Sequence, residues 1–106
     1  MHDFGLTVQH LEIIKEILEP YRSMIEEVAV FGSRSQGNYR DNSDIDLVIF
    51  GTILEVDVDR HYTLFEESNL PVKVDINAYH LITYLPLKKH IDDEKVTLFH
   101  KDDLLV

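Results

Sequence analysis

Gly32 and Ser33 are followed, after ten residues, by Asp44-Ile45-Asp46, and a further aspartate stands in Val74-Asp75-Ile76. Glycine at the end of a strand lets a phosphate approach the backbone closely. Ser33 adds a hydroxyl and an amide, and a helical turn starting just after it would add free N–H groups for an anion. Asp44 and Asp46 are separated by one residue, so on a strand they share a face, ~6.5–7 Å apart at Cα. Two such carboxylates repel one another, and a divalent cation removes that penalty. Oxygen ligands favour Mg²⁺, which keeps waters and completes its shell with substrate phosphates. If the strand bearing Asp75 lies beside the first, ~4.8 Å away, Asp75 joins the pair. Three carboxylates can then hold two ions ~3.5–4 Å apart, the spacing that stabilises attacking and leaving oxygens together. These residues therefore suit phosphoryl or nucleotidyl transfer from a nucleoside triphosphate. Arg34 and Arg40 flank the loop, and either offers a charge-assisted contact to a triphosphate oxygen, Arg34 being the better placed. Lys73 can neutralise charge beside Asp75.

The elements that must position these residues follow from periodicity. Leu11, Ile14 and Leu18 predict a helix over residues 7–19, ended by Pro20, with a short helical turn over 21–26. Val28 to Phe31 is a short apolar run stopped by Gly32, the pattern of a strand buried on both faces. Residues 33–43 form a polar loop with turn signals at Gly37 and at Asp41-Asn42-Ser43. Ile45 to Phe50 is a second buried strand, so the aspartates occupy only its beginning. Val58, Tyr62 and Phe65 predict a helix over 56–68. Val72 to Ala78 alternates strictly and sets Lys73, Asp75 and Asn77 on one face. A weaker helical stretch covers 81–93, interrupted by Pro86. A last strand over 96–99 is followed by a tail at 101–106. Strands alternating with helices give an α/β (α+β) domain, a small mixed β-sheet flanked by helices.

The chain has 106 residues, enough for one small domain over 1–106 and too few for a second that grips a large substrate. Twenty acidic against ten basic residues leave a formal charge of −10. That excess opposes direct nucleic-acid binding, which depends on Lys and Arg neutralising phosphates. It suits cation binding or a basic protein partner. Without cysteine there is neither a disulfide nor a thiolate metal site. No stretch approaches the roughly 18 apolar residues of a membrane helix, and residues 1–4 lack a signal-peptide pattern. Together these predict a cytoplasmic protein. Rival motifs fail on their residues. Gly32 and Gly37 have P-loop spacing, but Asn38-Tyr39 stands where Lys-Ser/Thr is required. The Asp44 segment lacks the third ligand and glycine of a calcium loop. The six histidines have no metal-ligand spacing and read as surface or packing residues.

Phe31-Gly32-Ser33-Arg34-Ser35-Gln36-Gly37, followed by Ser43-Asp44-Ile45-Asp46-Leu47, resembles the signature of the DNA polymerase β-like nucleotidyltransferase superfamily. Small size and the Gly-Ser-Arg-x-x-Gly form resemble its MNT, or minimal nucleotidyltransferase, branch. The resemblance implies the nucleotidyltransferase fold, with the site at an open sheet edge. It implies that Gly32 and Ser33 hold the triphosphate of ATP and that Asp44 and Asp46 bind two Mg²⁺. It gives Asp75 the metal nearest the acceptor and a part in deprotonating its hydroxyl. It further implies a partner, a HEPN-domain ribonuclease toxin encoded nearby, to which the MNT protein is antitoxin and whose hydroxyl receives AMP within a hetero-oligomer. Two other readings fit the residues: a module that neutralises its partner by contact alone, and nucleotide addition to an RNA end or a small molecule.

Overall fold

The computed structural model describes residues 4–104. Helix α1, Val8–Leu18, is entered through Thr7, whose hydroxyl accepts from the His10 N–H while His10 Nδ1 accepts from the Thr7 N–H. This reciprocal cap satisfies two of the donors a helix start leaves open. Ile14 and Leu18 are fully buried on its inner face. At Pro20 the chain does not stop but tightens into a 3₁₀ turn, Glu19–Met24, because proline without an N–H is tolerated in a first turn.

Strand β1 is Ile25–Phe31, three residues longer at its start than the apolar run predicts. Ile25 is fully buried, and the two glutamates after it conceal that from the sequence pattern. A four-residue helix α2, Ser33–Gln36, follows, then β2, Ile45–Gly51. Helix α3, Glu55–Glu66, carries the chain to β3, Val74–Ala78. After a 3₁₀ turn at Tyr79–Leu81 comes α4, Leu85–Glu94, then β4, Val96–His100. Pro86, read from sequence as an interruption, lies in the first turn of α4 and so opens it. The segment expected as a tail forms a 3₁₀ turn, Lys101–Leu104, whose Leu104 is fully buried. Residues 105–106 lie outside the described residues.

The sheet order is β3-β2-β1-β4. β1 runs antiparallel to both β2 and β4, while β2 and β3 are parallel, as a crossover through α3 requires. The sheet is therefore mixed. Val28, Val30, Leu47, Ile49 and Ile76 face α1 and α3 in the larger core. Ala29, Phe31 and Val48 face the other way and meet Ile91 of α4. Two-sided burial explains why β1 and β2 read as unbroken apolar runs.

Among the described residues, His61 of α3 is the unexpected core member. It is fully buried, edge-on to Tyr21 with ring centroids 4.3 Å apart, and neither ring nitrogen has a hydrogen-bond partner. Burial holds it neutral, its pKa lowered to about 4, against a weaker opposing pull from Asp57. Because the folded value lies below the unfolded one, this group favours the fold above pH ~6.5 and withdraws that support as pH falls toward 4. The withdrawal is on the order of 3 kcal/mol. His61→Leu should flatten this part of the stability–pH curve measured by urea unfolding. Parallel curves for the two proteins between pH 6.5 and 4 would refute the assignment.

Candidate functional site

β1 ends against β2 with Phe31 opposite Asp46. The next residue, Gly32, has φ 75° and ψ −149°, a conformation that glycine adopts without strain. Its carbonyl accepts from the Gln36 N–H at 3.2 Å and from Ser35 Oγ at 2.8 Å, which turns the chain into α2. A Cβ at residue 32 would stand 2.7 Å from Asp46 Oδ2. The Asp46 carboxylate thus lies directly against bare backbone, and Ser33 follows as the first residue of α2.

Asp75 is the register partner of Asp46 in the parallel β2–β3 pair. Residues opposite one another in neighbouring strands point to the same face, so these two carboxylates share the side that α4 partly covers. Asp44 lies one residue before β2 and is exposed. Burial, then the charge of Asp75, then that of Asp44, raises the Asp46 pKa above the ordinary carboxylate value. His90 of α4 and Arg34 pull the other way. Asp75 is itself half-exposed, with Lys73 Nζ at 3.8 Å. Among the described residues, no three acidic or histidine side chains close into a ready-made metal cage. The donor set is instead an open group of carboxylates that repel one another. Mg²⁺ suits such a set, since it retains waters and takes only one or two carboxylates beside substrate phosphates.

Arg34, expected to contact a triphosphate oxygen, meets backbone in the fold. It is 2% exposed, and its fork is aimed at backbone rather than at open space. Nη1 donates to the Phe4 carbonyl at 2.8 Å, Nη2 to the carbonyls of Ser43 at 2.7 Å and Asp41 at 3.4 Å, and Nε again to Ser43 at 3.2 Å. The guanidinium also lies over the Tyr39 ring, 5.2 Å from its centroid. A buried cation must keep its donors satisfied, and these carbonyls take them. Arg34 therefore braces the loop that delivers Asp44. No residue type in the sequence could reveal this, because every acceptor is a main-chain carbonyl. His90 is a second residue that sequence reading missed. It stands edge-on to Phe31 at 6.1 Å, with Nδ1 3.3 Å from Glu94, and only the docking of α4 brings it toward Asp46.

These contacts give two expected outcomes. Arg34→Lys keeps the charge but not the fork, so it should lower unfolding stability by at least ~2 kcal/mol through unsatisfied buried carbonyls. An unchanged urea midpoint together with weakened nucleotide binding would return Arg34 to a phosphate-binding role. Gly32→Ala should cost about 1–3 kcal/mol of backbone strain and displace the Asp46 carboxylate. A variant with the wild-type melting temperature and an undisturbed Asp46 titration by NMR would contradict the contact.

Residues 12–104 match the family model described as Polymerase beta, Nucleotidyltransferase. Putative protein adenylyltransferase MJ0604 of Methanocaldococcus jannaschii is 36% identical over 67 residues, which are 63% of this chain and 64% of that protein. The match thus spans under two thirds of the relative's length. Two crystal structures share the fold. A toxin–antitoxin with AMP-PNP superimposes with TM-score 0.70 at 22% identity, over 88% of this chain and 77% of that one. The toxin–antitoxin MntA-HpeT mutant D39ED41E gives 0.67 at 18%, over 88% and 76%. With a family match reaching from α1 to the buried Leu104 and Gly-Ser facing Asp-x-Asp inside it, this chain belongs to the polymerase β-type nucleotidyltransferases.

Proposed function

We propose that the chain transfers AMP from ATP to a hydroxyl of a partner protein, as the antitoxin of a HEPN ribonuclease toxin in the cytoplasm. The observation that carries the chemistry is the register of Asp46 on Asp75, with the Gly32 backbone packed against the Asp46 carboxylate. The name of the adenylyltransferase relative and the toxin–antitoxin fold neighbours support the choice of acceptor.

Asp44, Asp46 and Asp75 would hold Mg²⁺, which supplies positive charge to the triphosphate when bound. Gly32 leaves room for phosphate oxygens, and the Ser33 amide and hydroxyl donate to them. Asp75, the carboxylate on the edge strand β3, takes the proton of the attacking hydroxyl. The acceptor oxygen forms its bond to the α-phosphorus as the bond to the bridging oxygen breaks, and pyrophosphate leaves with that electron pair.

The test is label transfer from α-labelled ATP, with Mg²⁺, to the protein encoded beside this one. Asp75→Asn should lower transfer roughly 10²–10⁴-fold. Mg²⁺ with AMP-PNP should raise the melting temperature of the wild-type chain but not of Asp46→Asn. Because burial and the charges of Asp75 and Asp44 disfavour the Asp46 carboxylate, Asp46→Asn without ligands should melt higher than wild type at neutral pH. Undiminished labelling by Asp44→Asn or Asp75→Asn would end the proposal. Toxin neutralisation by the triple aspartate variant, with no label transferred by wild type, would favour contact alone.

A further inference from the structure

Large apolar side chains are left exposed in a pattern. Among the described residues, Leu54 and Val56 open α3, while Leu81, Tyr84 and Leu85 lead into α4. Exposures run from 44% at Leu81 to 73% at Leu85, although these two segments are far apart in sequence. Of these, Leu81 lines a groove of about 320 Å³ between α3 and the 3₁₀ turn at Tyr79–Leu81, with Glu55 and Asp59 on one wall and Leu81 and Ile82 on the other. Contiguous exposed apolar surface rimmed by charge marks an interaction site.

The floor of this groove is the outer edge of β3 at Ile76, Asn77 and Ala78. Asn77 is two residues beyond Asp75 on the same strand face, ~6.5–7 Å away at Cα. The edge is not available to another strand at its centre. Tyr62 Oη donates to the Ile76 carbonyl and accepts from the Ile76 N–H, both at 3.1 Å. A partner strand needs those two groups. What enters the groove is therefore side chains from a helix or turn. The acids on its wall, in a chain of formal charge −10, select a basic segment.

We infer that this groove docks the acceptor protein through a helical or turn segment carrying apolar anchors and lysine or arginine, and so delivers the acceptor hydroxyl to Asp75. The inference rests on the protein-acceptor reading above and deepens it, by naming the surface that would orient the acceptor. It also makes the polar face of β3 two-part: Asp75 for chemistry and Asn77 for the approach.

The test uses the whole chain and the protein of the adjacent gene. Two variants alter the groove, Leu81→Asp and the double variant Glu55→Lys/Asp59→Lys. Val8→Asp, at a residue 72% exposed on α1, is the matched surface control. Each groove variant should raise the apparent KM for the acceptor protein about tenfold or more. The melting shift given by AMP-PNP with Mg²⁺ should stay at the wild-type value, and Val8→Asp should change neither readout. Calorimetric binding of the same pairs separates the two ideas. A wild-type chain that binds the partner but transfers nothing overturns the function and leaves the groove standing. No binding by wild type, or wild-type affinity and KM in both groove variants, overturns the groove.

Discussion

Three carboxylates are held close enough to repel, and the rest of the architecture can be understood as what keeps them there. Asp46 sits in the strand beside Asp75 and near Asp44, half removed from water, with its pKa pushed up as a result. Left to itself such a group would spread apart. It cannot, because β2 is fixed from both faces. Ile45, Leu47 and Ile49 are locked into the larger core, and Val48 is locked under Ile91. The parallel pairing with β3 then sets residue 75 opposite residue 46, and a slip of one position would send Asp75 to the opposite face. Apolar packing thus supplies the free energy that maintains an electrostatically unfavourable cluster, the usual relation between a reactive site and its scaffold.

The backbone at Gly32 is the second half of the same arrangement. A carboxylate pressed against main chain leaves no volume for a side chain, so the Gly32 turn and the start of β2 are one steric unit. Asp44 is different in kind. It is exposed, outside the strand, and positioned only through the loop that Arg34 braces. Asp46 is therefore placed by the sheet and Asp44 by the loop, and the two respond to different perturbations. The Lys73–Asp75 pair adds a counter-charge at the third position, weak because both partners are open to solvent.

Much of this was legible from residue types. The aspartates, the Gly-Ser turn, the two buried strands and the alternation through Val74, Asp75 and Ile76 each carry a local signal, since side-chain period and turn chemistry are properties of neighbours in sequence. The mixed sheet flanked by helices follows from those elements. What stayed hidden depends on contacts between distant segments. Arg34 looks like any loop arginine until its carbonyl partners are known. Ile25 is masked by Glu26 and Glu27, although the fold buries it completely. His61 is one of six scattered histidines and becomes a neutral core residue only when α3 meets Tyr21. Pro86 is ambiguous in sequence because a proline that opens a helix and one that breaks it differ only in where the neighbouring turns begin.

A single guanidinium joins the carbonyls of residues 4, 41 and 43, which belong to two separate stretches of chain. Neither stretch can loosen alone without stranding a buried cation, so fluctuations of the entry strap and of the loop before β2 are tied into one cooperative opening. The mobility of the loop that carries Asp44 is then governed from far along the chain, by how firmly the backbone at Phe4 lies down.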